Sequence, residues 1–412
     1  MTAAPLDYTG LLRTDLPPAA VKYAGFPKYN FVGGHNDADS TPVEGLRAAA
    51  DAVLAREGRT LATYGLQSGP QGYLPLREFL VRKLAADAGI TATTDDILIT
   101  SGSLQGMDLV NQLLIAPGDT AVIEQANYGG AITRLKRAKA NIVAVPVDHD
   151  GMSASALSKA LDELKAKGIK PKYIYTIPTV QNPTATVMSA GRRAEILALS
   201  EAHGVPIFED ECYADLTWSG TRPQALRGMA GAGNNRVIHI GSFSKSIAPA
   251  LRLGYLVASW PLMGQILALK TDAGSGALEQ MVMAEYASKH FSDHMIGLRK
   301  ALKRKADVLV EAVAAEFGTA AEFEKPQGGI FLWIKLPDEV DTQRLFQAAA
   351  KAGVALNPGP EWAVGESYAR SRLRLCFANP SEAEIREGVA VLADVCHKEF
   401  GVPLRGRNMG RR

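Results

Sequence analysis

Cysteine is scarce in this chain: the three residues, Cys212, Cys376 and Cys396, are odd in number and far apart. Such a set builds no disulfide framework and predicts reduced thiols. An excess of one charge is lacking too, since 45 Lys and Arg offset 43 Asp and Glu for a formal net charge of +2. That balance gives no basis for a nucleic-acid or membrane partner. No run of roughly 20 apolar residues is present to span a bilayer as a helix. The first residues, Met1 to Tyr8, contain neither a basic n-region nor an apolar h-region, so a secretion signal is not expected and a cytoplasmic location is. The seven histidines form no zinc-like cluster. His290 and His294 are four apart, but Phe291 stands where a metalloprotease would carry glutamate, so a surface pair is expected and no metal. No internal repeat stands out.

What is present is a globular composition. Hydrophobic residues make up 47% and charged residues 21%, and the length accommodates two domains. Ile97 to Thr100, Ala121 to Glu124, Ile142 to Val145, Tyr173 to Thr176, Val205 to Glu209, Val237 to Ile240 and Leu253 to Val257 are short apolar runs that read as strands. Leu104 to Leu114, Tyr128 to Ala138 and Ala190 to His203 read as helices between them. The alternation predicts an α/β fold, a mainly parallel seven-stranded sheet covered by helices, with ligands beyond the carboxyl ends of its strands. Helices are also predicted from about Val43 to Ala55, Asp293 to Phe317 and Asp341 to Ala352, and strands at Gly328 to Lys335 and Leu373 to Phe377. The expected division is an N-terminal segment, 1–60, packing with a smaller α+β domain, 301–412, and a large domain, 61–300. The basic tail from Arg405 to Arg412 reads as a frayed, solvated end.

Lys245 is the residue most in need of a physical explanation. It follows the apolar run Val237 to Ile240 in Gly241-Ser-Phe-Ser-Lys245, where an ammonium must be paired, neutralised or hydrogen-bonded. A covalent aldehyde cofactor meets these needs. An imine removes the free ammonium, Ser242 and Ser244 can donate to a phosphate, and Arg252 can grip that phosphate as a planar fork. Ser-x-x-Lys is also the nucleophile motif of β-lactamase-like acylases, but the Lys-Thr-Gly and Ser-Asp-Asn partners are missing. A dinucleotide fingerprint fails as well, because Gly231-Ala-Gly233 lacks a third glycine and precedes a strand. After the first strand, Thr100-Ser-Gly-Ser103 opens a helix whose free amides suit an anion.

Ser-Phe-Ser-Lys245 followed by Leu-Arg252-Leu-Gly-Tyr255 resembles the lysine box of the fold-type I pyridoxal phosphate (PLP) enzymes, the class I/II aminotransferases. Gln181-Asn-Pro-Thr-Ala185, Phe208-Glu-Asp210 with Tyr213, and Ser371-Arg-Leu-Arg374 resemble further segments of that family, in its order, with Ala185 in place of a usual glycine. The likeness is nearest to the branch with aminoadipate and kynurenine aminotransferases and MocR-like regulators. It implies an aspartate aminotransferase-like fold and a Schiff base between PLP and Lys245. By the same match Asp210 pairs with the pyridine nitrogen, Asn182 and Tyr213 bind O3′, and Tyr128 stacks on the ring. Ser103, the amide of Leu104, Ser242, Ser244 and Arg252 hold the phosphate, joined by Tyr64 from the other subunit of a homodimer. Arg374, with Gly34 and Asn182, takes the substrate carboxylate. A carboxylate beside the pyridine keeps it protonated as an electron sink. Glu209 and Glu211 alternate with Asp210 and read as a polar edge.

The activity so implied moves an amino group from an amino acid to a 2-oxo acid with ping-pong kinetics. Elimination, decarboxylation, cyclisation or oxidation at Cα or Cβ would use the same residues. A PLP-sensing regulator would need a helix-turn-helix domain, for which only about 30 residues precede the resemblance. The substrate side chain is expected near Gly33 to Ser40, where His35, Asn36 and Asp37 either form a plain turn or meet a polar or cationic group, near Trp218, and at loops of the partner.

Overall fold

A computed structural model of the protein describes residues 5–23 and 25–404, so the basic tail from Arg405 lies outside the described residues. All seven expected strands form one sheet: β1 (Ile97–Ser101), β2 (Thr120–Glu124), β3 (Asn141–Val145), β4 (Ile174–Thr176), β5 (Ile207–Asp210), β6 (Val237–Ser242) and β7 (Leu253–Val257). Their order is β1-β7-β6-β5-β4-β2-β3. β2 to β6 pair in parallel, whereas β7 runs antiparallel to both its neighbours, β1 and β6. The central strands are buried on both faces, which is why they appear in the sequence as unbroken apolar runs.

The single reversed strand matters for the site. Leu253 pairs with Ser101 and Gly254 with Ser242, so the residue that enters β7 emerges at the same sheet edge as the residues that leave β1 and β6. Among the described residues, α1 (Val43–Glu57), α2 (Ser103–Leu114), α3 (Gly129–Arg137) and α4 (Ala190–His203) include helices predicted from periodicity. Ser189 caps α4 by accepting from the Arg192 amide, and Gly204 ends it in the left-handed conformation.

A second, antiparallel sheet holds β8 (Phe331–Lys335), β9 (Asn357–Pro358) and β10 (Arg372–Cys376), with β10 in the middle. Near it, Tyr29–Asn30 pairs in parallel with Val354–Ala355, which draws the early chain against this region. α5 (Ala277–Phe317) spans 41 residues, about 60 Å at the α-helical rise. It begins sixteen residues before the predicted Asp293, and the expected boundary at residue 300 falls inside it. Along α5, Lys305 forms a buried ion pair with Asp37 at 2.6 Å and donates to the Ala378 carbonyl at 2.7 Å. That tie anchors the loop that follows Gly33 and Gly34.

Two expectations are corrected. Glu209 and Glu211 are not a polar edge: both are buried, Glu209 against His239 at 2.8 Å and Glu211 against Arg193 and Arg222 at 3.3 and 3.4 Å. His294 is half-buried, with Nε2 2.6 Å from the Ser246 carbonyl, so it does not form a surface pair with His290. Of the two readings of the early loop, Asn36 and Asp37 follow the structural one, Asn36 donating to the Ile247 carbonyl at 3.3 Å and Asp37 pairing with Lys305. Among the described residues no helix is long and apolar enough to cross a membrane, and no cluster of three His, Cys, Asp or Glu could hold a metal.

Candidate active site

The strand ends of the large sheet converge on a cavity of about 320 Å³. β1 delivers Ser103 and Leu104 at the start of α2, where Gly102 adopts a φ of 76° that favours glycine. Tyr128 follows β2 and immediately precedes α3, and Asn182 lies on the loop after β4. β5 ends at Asp210, with Tyr213 three residues on, and β6 ends at Ser242, leading to Ser244 and Lys245. Arg252 arrives at this edge because β7 is reversed, and it does so in the left-handed region at φ 54°, an uncommon conformation for a non-glycine residue. Gly34 and Arg374, from the early loop and β10, close the remaining wall.

Twelve of the residues singled out in the sequence therefore line one cavity. Tyr64 does not; its side chain is 89% exposed beside a separate hollow. Arg374 and Arg372 share the strand β10, but only Arg374 faces the cavity, while Arg372 lies over the Tyr368 ring at 4.9 Å. Trp218 does not line the cavity: its indole donates to the Pro326 carbonyl at 2.7 Å. Ile177, Cys212, Asn357 and Trp362 line it without having been anticipated. Asn357 and Trp362 lie far from every motif in the sequence, and only the pairing of β9 with β10 brings Asn357 opposite Arg374.

The charges in this cavity are unbalanced. Its charged residues are Lys245, Arg252, Arg374 and Asp210, and among the described residues none of the three cations forms an ion pair with a carboxylate. Lys245 Nζ donates instead to the Gly34 carbonyl at 2.6 Å, and Gly34 has no Cβ because one would collide with that amine. Burial, with smaller repulsions from Arg374 and Arg252, brings the Lys245 ammonium down to about 8. Arg374 donates to Asn182 Oδ1 at 2.8 Å, Asn357 Oδ1 at 2.9 Å and, less closely, the Gly33 carbonyl at 3.3 Å. Its guanidinium carbon lies 3.5 Å from the Trp362 ring centre and 5.2 Å from that of Phe331.

Asp210 accepts from the Tyr175 hydroxyl at 2.8 Å and the Cys212 amide at 3.1 Å. Burial nonetheless pushes its carboxyl above the ordinary value, as expected for an anion that lacks a cationic partner. Tyr175 was missed because its strand precedes the motif-bearing loop. It sits on β4 beside β5, and the alternation of that pair sends its hydroxyl to Asp210.

This donor set fits PLP. Free amides at the start of α2, the hydroxyls of Ser242 and Ser244 and the fork of Arg252 suit a phosphate dianion, and the Gly102 turn leaves open space that a Cβ would deny to Arg252. A lysine amine of lowered pKa is available to an aldehyde, and Asp210 is available to a protonated ring nitrogen.

Comparison with known proteins agrees with that chemistry. The aromatic-amino-acid aminotransferase 1 of Thermococcus litoralis is 31% identical over 374 residues, 90% of this chain and 88% of that protein. The crystal structure of the Pyrococcus horikoshii kynurenine aminotransferase superposes with a TM-score of 0.85 at 30% identity, over 93% of each chain. That of the α-aminoadipate aminotransferase of Thermus thermophilus, complexed with N-(5′-phosphopyridoxyl)-L-leucine, has a TM-score of 0.83 at 28% identity, covering 90% of this chain and 93% of that one. The profile of the family described as aminotransferase class I and II matches residues 28–392, and the chain belongs to that family of PLP-dependent transferases.

Proposed function

We propose that this aminotransferase acts on amino acids with an uncharged, aromatic or aliphatic side chain, and that the twelve cavity residues carry out its reaction. The observation that supports the reading is the charge count of the cavity. Each charged group has a use: Lys245 for the cofactor aldehyde, Arg252 for its phosphate, Asp210 for its ring nitrogen and Arg374 for the substrate α-carboxylate. No further cation remains there for a second carboxylate, and the rest of the wall includes Ile177, Tyr128 and Trp362. The relative named for aromatic amino acids supports the same class.

When bound, PLP supplies the electron sink that makes the substrate Cα proton acidic. Ser103, Leu104, Ser242, Ser244 and Arg252 hold the phosphate, and Asp210 holds the proton on the pyridine nitrogen. Asn182 and Tyr213 hydrogen-bond O3′, and Tyr128 covers the ring face. Arg374 orients the donor through its carboxylate, with Gly34 and Asn182 beside it. Lys245, once its amine is free of the cofactor aldehyde, would take and return the proton at the donor Cα side of the site. The donor would leave as its 2-oxo acid, and a second 2-oxo acid would take up the amino group, which gives ping-pong kinetics.

The protein is proposed to be a homodimer in which Tyr64 reaches the phosphate of the partner's site. Its 89% exposure, outside the cavity of its own chain, supports this reading. A donor panel tests the substrate class. Single-turnover loss of the visible cofactor band, without added oxo acid, should be at least tenfold more efficient with phenylalanine, tyrosine or leucine than with glutamate or 2-aminoadipate. The opposite ranking would refute it.

A further inference from the structure

Behind the cavity lies a buried carboxylate for which the reaction as described has no use. Glu124, the last residue of β2, is fully buried and has no cation within salt-bridge distance among the described residues. Its two oxygens are surrounded by neutral donors. Thr176 Oγ1 donates at 2.6 Å, the Ile177 amide lies 3.3 Å from both oxygens, Gln181 Nε2 donates at 3.1 Å, and Asn127 Nδ2 reaches it at 3.4 Å. Donors at both oxygens suit the ionised form, since a protonated carboxyl would turn one of those oxygens into a donor.

The partners of Glu124 are the residues next to the two cofactor loops. Asn127 accepts from the Tyr128 amide at 2.7 Å, so the Glu124–Asn127 contact sets where the chain turns into Tyr128. Gln181 also donates to the Ala126 carbonyl at 2.7 Å, accepts from the amide and hydroxyl of Thr184 at 2.9 and 2.8 Å, and immediately precedes Asn182. Ile177 itself lines the cavity. A single carboxylate thus joins the end of β2, the end of β4 and the loops beyond both.

We propose that Glu124 is a positioning residue for transamination, an ionised clamp that holds Tyr128 and Asn182 at the separation the cofactor ring requires. The desolvation cost of such a group is offset by its donor shell and by nothing else, so the shell is retained only as a complete set. Burial, moderated by these hydrogen bonds and joined by repulsion from Asp210, raises the carboxyl to about 7. The donor geometry then selects which of two accessible protonation states the folded site adopts.

The inference rests on the assignment of Tyr128 and Asn182 to the cofactor, and the test separates the two. The wild-type holoenzyme and Glu124→Gln are compared by PLP dissociation constant, by induced circular dichroism of the visible cofactor band and by kcat. Gln presents a donor where Ile177 or Gln181 already donates, so PLP affinity and kcat should each fall about tenfold and the dichroism should weaken. Thr176→Val, which removes only the shortest bond, should move all three the same way by a smaller factor, and it decides the matter if Glu124→Gln does not fold. Tyr173→Phe removes another buried hydroxyl bond, 2.7 Å to Asn111, and should leave the dichroism unchanged. Unaltered affinity and dichroism in both clamp variants would overturn the proposal, as would equal losses in Tyr173→Phe. A PLP affinity unchanged in both Tyr128→Ala and Asn182→Ala would instead overturn the assignment of those two residues to the cofactor.

Discussion

Lys245 shows how one side chain can be both strained by its surroundings and prepared by them. Burial lowers its pKa to about 8, Arg374 and Arg252 add repulsion, and the thiols of Cys212 and Cys376 act the other way. In cofactor-free protein at pH 8, about half of this amine should be unprotonated, against a few tenths of one per cent for an ordinary lysine. Competitive acetylation read by mass spectrometry should give a titration midpoint near 8 at this position, and a midpoint near 10 would contradict the burial. Because the unfolded chain binds this proton more tightly, the cofactor-free fold should gain stability as pH rises from about 8 towards 10.5, a slope that Lys245→Met removes. Arg374 is prepared differently, by neutral acceptors at its edges and the Trp362 ring on its face. Replacing Trp362 by Leu should raise KM for α-amino acids about tenfold, while an amine without a carboxylate loses far less. Equal losses for both would show that Trp362 shapes the cavity only. Lys245 and Arg374 were legible in the sequence because one follows a strand and the other lies within one, each in a recognisable segment. Trp362 was not, since nothing local distinguishes it from a core tryptophan.

At the level of elements, the reversal of β7 brings Arg252 to the α2 start, and the glycine between them is the point of greatest sensitivity. Gly102 combines a φ of 76° with a Cβ position that the Arg252 guanidinium already occupies. Gly102→Ala should therefore displace the guanidinium and tilt the first turn of α2, weakening PLP at least tenfold while weakening inorganic phosphate in the same ratio. Equilibrium dialysis with each ligand checks this, and a loss confined to PLP would place the damage at Lys245 instead. All seven sheet strands could be read from sequence: those buried on both faces leave an uninterrupted apolar run, and the half-buried edge strand β3 contains the apolar run Ile142 to Val145. The first four turns of α5 could not. Gln280, Met281, Val282, Met283, Ala284, Tyr286 and Ala287 are all buried, so before Ser288 too few polar positions remain to mark a helical period. Glu209 and Glu211 were misread for a related reason: alternation predicts which way they point, but their partners His239, Arg193 and Arg222 come from other parts of the chain.

The molecule as a whole has a site that is complete in its cations and open at its edge, and Tyr64 lies outside it. If the partner subunit's site takes Tyr64, then Lys245 and Tyr64 of one chain serve different active sites, and complementation between two damaged chains distinguishes this from any arrangement within one chain. Lys245→Ala should be inactive, and Tyr64→Ala should bind PLP about tenfold more weakly at limiting cofactor. In a heterodimer of the two, one site carries both defects and the other has neither, because its lysine comes from the Tyr64→Ala chain and its tyrosine from the Lys245→Ala chain. Unfolding and refolding an equimolar mixture should place about half the chains in heterodimers and leave about a quarter of all sites native. Those sites should bind PLP with wild-type affinity and transaminate at the wild-type rate per native site. A mixture showing only the average of its two parents, at a concentration where light scattering gives a dimer, would mean that each chain furnishes its own phosphate contacts and that Tyr64 plays no part in the partner's site.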